Sequence, residues 1–211
     1  MKSVNAVGLP EVLPNVRKAF RIVAAYQKRT LQQVDYICRL FPEMEFDFWT
    51  PEHWSSTGRK ILPSQGKWEV DGLPFYSFSV LLVDPNLKFA VEILHCSDTG
   101  LDDIENFQHF DPWEMRDAEN TSTTLSLIGW LMSGVKNRAE WRSAYYDCQW
   151  PEDDGCLSPT ARDGIFNIRY QSDVADLNDR NAIDSFVCSF RRNLLMNGFD
   201  LGDPESISEV K

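Results

Sequence analysis

The 211 residues are 43% hydrophobic, 12% aromatic and 25% charged, a composition that can bury a sizeable core and excludes a disordered chain. Charge is segregated: Met1 to Pro42 carries seven Lys/Arg against two acids, net +5, and the remainder holds 14 Lys/Arg and 30 Asp/Glu, net −16, within an overall −11. Direct nucleic-acid binding is not expected of an acidic body that repels phosphate, and no run approaches the ~18 apolar residues of a membrane span.

At the N-terminus, Ala6-Val7-Gly8-Leu9 is broken by Pro10, too short for the apolar core of a secretory signal. Five widely spaced cysteines with no CxxC pair fit a reducing compartment, so a cytoplasmic protein is expected. Pro14 to Leu40 reads as a long helix, with Pro14 in its first turn and Phe41-Pro42 ending it. At ~100° per residue, Val16, Phe20, Val23, Leu31, Val34 and Cys38 form an apolar stripe, and Arg17, Lys18, Arg21, Lys28, Arg29 and Arg39 fall opposite. Pro42 to Gln65 has no sustained period and reads as an ordered loop.

Phe75 to Val83 and Leu87 to His95 read as strands joined by Asp84-Pro85-Asn86, a hairpin apolar on both faces. Residues 98–119 carry eight acids against Arg116. Thr123 to Met132 reads as a strand closed by Gly134, and Val135 to Tyr146 as a short helix bearing Trp141 and Tyr145. Trp150 to Gly164 reads as a loop and Ile165 to Tyr170 as an edge strand. Asn181 to Met196 is a second amphipathic helix capped by Asn197-Gly198, and the tail beyond Phe199 is polar and reads as frayed. The order predicts one α+β domain, a largely antiparallel sheet packed with a long N-terminal helix and a C-terminal helix. Its parts are a basic helix (1–42), an acidic body (43–199) and a polar tail (200–211).

No residue is assigned a catalytic role. The three histidines, His53, His95 and His109, lie in no HxH, HxxxH or HExxH spacing. His95 and Cys96 are strand neighbours that project to opposite faces, which disfavours a thiol-imidazole pair. Asp84, Glu92, His95 and Asp98 cluster around the hairpin, and they define the alternative reading: a metal-dependent hydrolase or nuclease with a dispersed site. Against it, no Lys follows Glu92, and Asp84 beside Pro85 is the ordinary residue of a turn. No phosphate loop, nucleophile elbow or dinucleotide fingerprint occurs, so no cofactor is expected.

Three segments each set Trp beside Pro and acid: Trp49-Thr50-Pro51-Glu52-His53-Trp54, Phe110-Asp111-Pro112-Trp113-Glu114 and Trp150-Pro151-Glu152-Asp153-Asp154. Proline stiffens such loops, tryptophan is the residue most enriched at binding hot spots, and carboxylates select a basic partner. The competing reading makes these tryptophans lids on the core. The expected function is therefore a non-catalytic acidic module that binds a basic protein surface, as an inhibitor or immunity-like antagonist does (toxin-neutralising or nucleic-acid-mimicking). Its contact residues would be Trp49, Glu52, Trp54, Asp111, Trp113, Glu114, Trp150, Glu152, Asp153 and Asp154. No membrane partner is expected. A second alternative is a structural subunit that forms homo-oligomers through the N-terminal helix.

Overall fold

The structure, a computed structural model, describes residues 9–51, 77–101, 117–151, 154–199 and 201. Its chain order is helix α1 (Leu9–Arg39), strands β1 (Glu45–Pro51), β2 (Ser77–Val83), β3 (Phe89–Cys96) and β4 (Thr124–Met132), helix α2 (Arg138–Asp147), strands β5 (Ser158–Pro159) and β6 (Ile165–Asp173), and helix α3 (Arg180–Met196). The strands form one antiparallel sheet in the order β1-β2-β3-β4-β6-β5. The fold is α+β, with α1 and α3 on one face of the sheet and α2 on the other. Among the described residues no helix is long and apolar enough to cross a membrane.

Local chemistry explains each element. Pro14 does not open α1 but sits inside it, where the loss of one backbone donor close to the helix end is tolerated. Leu31, Val34 and Ile37 bury the C-terminal half of the helix, which Phe41, 1% exposed, closes. The β2–β3 hairpin turns at Asp84, whose carbonyl accepts from Leu87 N–H (2.8 Å) and whose carboxylate accepts from Lys88 N–H (3.2 Å). Asp179 caps α3 by accepting from Ala182 N–H, and Asn197 and Gly198 (φ +88°) end it.

Three expectations change. The segment read as a loop from Pro42 contains β1, because a bulge at Asp47 breaks the period-2 pattern between Phe46 and Phe48 and hides the strand from alternation. Ile165 to Tyr170 is not an edge strand: β6 lies between β4 and β5, although β5 covers only Asn167 and Phe166. The chain just past α3 does not leave the body, since Phe199 and Leu201 are buried. Residues 202–211 lie outside the described ones.

On the first face, Phe186, Phe190 and Leu194 of α3 pack with the α1 residues over Val80, Val91, Ile93, Leu125 and Leu127. Each such side chain contributes about 1.5–3 kcal/mol when fully buried. Gly129 of β4 lets α3 approach closely, because an added methyl would overlap the Leu194 side chain and crowd Ile168 at 3.2 Å. Arg191 ties the layers together from a position 2% exposed. It donates to the carbonyls of Leu40 (3.1 Å) and Leu201 (2.6 Å), pairs with Glu43 (2.6 Å), and stacks over Phe41.

Candidate functional site

β3 carries Glu92 and His95 three positions apart, an odd separation, and the pleat sends them to opposite faces. Glu92 points toward α2 and is fully buried. Its carboxylate accepts from Ser79 Oγ (2.5 Å), Tyr145 Oη (2.8 Å) and Trp130 Nε1 (3.1 Å), and from the Trp150 side chain. Burial raises the Glu92 pKa above the ordinary carboxylate range, and the four hydrogen bonds oppose that rise. Tyr145, almost as enclosed, is also pushed well up, first by burial and then by the Glu92 charge. Trp130, Trp141 and Tyr145 wall the carboxylate with edge-to-face rings 5.8–5.9 Å apart. A carboxylate so enclosed and so fully hydrogen-bonded is a fixed anchor for its donors.

His95 points the other way, into the α1 face. It stacks on Phe78 (5.5 Å), and its Nε2 lies 3.1 Å from Tyr26 Oη. Burial lowers its pKa to about 4, so the ring is neutral at physiological pH. Nδ1 has no partner among the described residues, and the ring's tautomer sets whether Nε2 or Tyr26 Oη is the donor in their contact.

The four residues of the metal alternative do not converge on one site. Asp84 is spent on the hairpin turn, Asp98 accepts from Gly100 N–H (2.8 Å), and Glu92 and His95 are divided by the sheet. Among the described residues no group of three or more His, Cys, Asp or Glu converges. All five cysteines are free thiols, and burial pushes the Cys38 thiol up to about 12, which makes it a poor nucleophile.

The Trp-Pro-acid segments separate. Trp49 lies on β1 with its ring in the α1-side core, so it is a core side chain. Glu52, Trp54, Asp111, Trp113, Glu114, Glu152 and Asp153 lie outside the described residues. Trp150 and Asp154 stand on the surface beyond α2. Trp150 is 37% exposed, and its side chain is also near enough to buried Glu92 to help stabilise that carboxylate. Beside it in the chain are exposed Tyr146 and Asp147, two residues the sequence pattern did not single out. The signal for the anchor was nonetheless in the sequence: Glu92 is the one acid in an otherwise apolar strand.

Electrostatics sharpen the picture. Arg138 pairs with Glu45, Arg142 with Asp47 (2.5 Å), Arg162 with Asp147 (3.7 Å), Arg169 with Asp154 (2.8 Å), and Arg191 with Glu43. Five of the nine described cations of the body are thus paired with its own carboxylates, while the body as a whole carries an excess of 16 acids. On α1, by contrast, Arg39 pairs with Asp35 within the helix, whereas Arg17, Lys18, Arg21 and Lys28 make no ion pair with a described residue.

A family profile described as PM0109 matches residues 7–197. No curated protein and no solved structure matches the chain.

Proposed function

The chain belongs to the PM0109 family, and from that premise we propose that it is a non-catalytic acidic binding module that engages a basic surface on another protein in the manner of an inhibitor. The observation that carries this reading is Trp150. An exposed indole that also helps stabilise a buried carboxylate has less freedom to lose on contact, which is the property of a binding hot spot. The −16 carried by residues 43–211 supplies long-range attraction for a basic partner. The free thiols, exposed Cys156 among them, suit work in a reducing cytoplasm.

Purification from its native cells at low salt tests the reading, with the wild type and Trp150→Ala compared. The expected result is a basic protein that co-purifies with the wild type, is released at about 0.5 M salt, and is lost or at least tenfold weakened with Trp150→Ala. Recovery of the bare chain alone, or equal recovery of the partner by both proteins, sinks the proposal.

A further inference from the structure

β1 is the outermost described strand on its side of the sheet, and its sequence, Glu45-Phe46-Asp47-Phe48-Trp49-Thr50-Pro51, is rich in aromatic residues that favour strands. The outer side of such a strand is a template on which another strand can pair unless the chain blocks it. Asp47 stands in the middle of this edge. Phe46 lies opposite Leu82 and Phe48 opposite Leu81, so Asp47 is the extra residue of the bulge, with no residue of its own facing it on β2. Its side chain is nonetheless fully enclosed.

The partners of Asp47 come from one stripe of α2. Arg138, Arg142 and Tyr146 follow one another at four-residue steps and share a face of that helix. Arg142 holds the Asp47 carboxylate with two nitrogens, Nη2 to Oδ1 at 2.5 Å and Nε to Oδ2 at 3.3 Å, and Nη2 also donates to the Asp47 backbone carbonyl at 3.2 Å. The same guanidinium lies 5.3 Å over the Phe48 ring, and the Tyr146 ring lies 6.4 Å from Phe48. Arg138 pairs with Glu45 and comes within 3.9 Å of Asp47. At the far end of β1, Pro51 brings no N–H.

Arg142 is 47% exposed and screened by water, so its attraction offsets only part of the penalty of enclosing the carboxylate. The arrangement acts on the edge in other ways: the bulge bends the strand, an acid is turned inward, and a side chain takes up a backbone carbonyl. We propose that the Asp47 bulge, clamped by Arg142, guards the edge of the sheet and keeps a second copy of this chain from adding its own β1 there. The inference stands whether or not the surface around Trp150 is a binding site.

Deleting Asp47 tests it. The deletion makes Phe46 and Phe48 neighbours on a regular strand, which sends them to opposite faces, and those are the faces they already occupy. The variant is therefore expected to keep its helix content and a cooperative melt, and to self-associate at least about tenfold more tightly than the wild type in sedimentation over roughly 1 to 100 μM. Arg142→Met, which keeps an apolar stem against Phe48 but leaves the Asp47 carbonyl without its donor, should shift association in the same direction. Arg162→Met, an equal change of charge that breaks a surface pair with Asp147, should leave association unchanged. In the wild type, amide exchange at residues 45–51 should not depend on concentration. A deletion variant that folds and sediments like the wild type overturns the proposal. So does an Arg162→Met variant that associates as strongly as Arg142→Met, or wild-type protection of residues 45–51 that rises with concentration. If the deletion does not fold, unchanged sedimentation of Arg142→Met overturns it.

Discussion

The two faces of the sheet are built on different principles. Beneath α1 and α3 the strands present Val80, Leu82, Val91, Ile93, Leu125 and Leu127, and the buried histidine on this face, His95, is kept neutral. Beneath α2 the equivalent positions include Ser79, Glu92 and Trp130, and the packing closes around a carboxylate that gathers hydroxyl and indole donors. The first face tolerates a titratable ring by withholding charge from it. The second holds an acid by supplying more donors than a carboxylate finds in most interiors. Buried apolar faces gain from area and shape, whereas a buried polar network stands or falls as a unit.

The comparison breaks most visibly at Glu92. Glu92→Ala strands four donors and opens a cavity, so a loss of about 3–5 kcal/mol in urea unfolding is expected. Glu92→Gln, which keeps the shape and one acceptor oxygen, should cost less than half of that. If Glu92→Ala costs no more than an exposed substitution, the network is not what holds α2 to the sheet.

The pH dependence sharpens the same contrast, because the two groups have opposite signs. His95 has a depressed pKa, so the unfolded chain takes up a proton first. Its stabilising contribution is complete above the unfolded value of about 6.5 and is lost as pH falls toward about 4, up to about 3 kcal/mol in all. Glu92 has a raised pKa, so its contribution is present below the ordinary carboxylate range and declines as pH rises through the raised value. Denaturation midpoints followed from pH 4 to 8 should show an acid-side loss that His95→Gln flattens and an opposing drift that Glu92→Gln removes. Identical profiles for His95→Gln and the wild type would contradict the buried neutral ring.

A smaller effect is expected at the seam between α3 and the first face. Gly129→Ala drives a methyl into Leu194, and about 1–3 kcal/mol of overpacking should lower the thermal midpoint by several degrees. Gly129→Ala paired with Leu194→Ala should cost less than the sum of the two single losses, since the added methyl partly fills the space that the shortened side chain leaves. A loss that adds rather than cancels in the double variant would mean that helix and strand already yield at this point.

Much of this architecture is legible in the sequence where signals are local. The long basic helix, the Asp84-Pro85-Asn86 hairpin, the helix bearing Trp141 and Tyr145, and the capped C-terminal helix follow from periodicity and turn chemistry, and each stands in the structure within a few residues of its expected place. β1 escaped because a bulge at Asp47 shifts its alternation by one residue, and a window that assumes period two cannot see that. The loop tryptophans divided for a similar reason. Trp49 and Trp150 share a neighbourhood of Pro and acid, yet one is a core ring and the other a partly exposed one, a difference set by strand pairing and not by composition.

The sequence by itself determined the sign of charge along the chain, the helical and strand periods, and the apolar stripe of α1, because each depends only on residues a few positions apart. The tertiary structure decided which side of the sheet each group faces, which donors meet at Glu92, and where along α1 the buried seam gives way to an open one. Those outcomes depend on the register between strands distant in sequence and on how far the packed body reaches beneath the helix. A repeat in sequence specifies a continuous stripe. Only the packed body determines how much of that stripe it can cover.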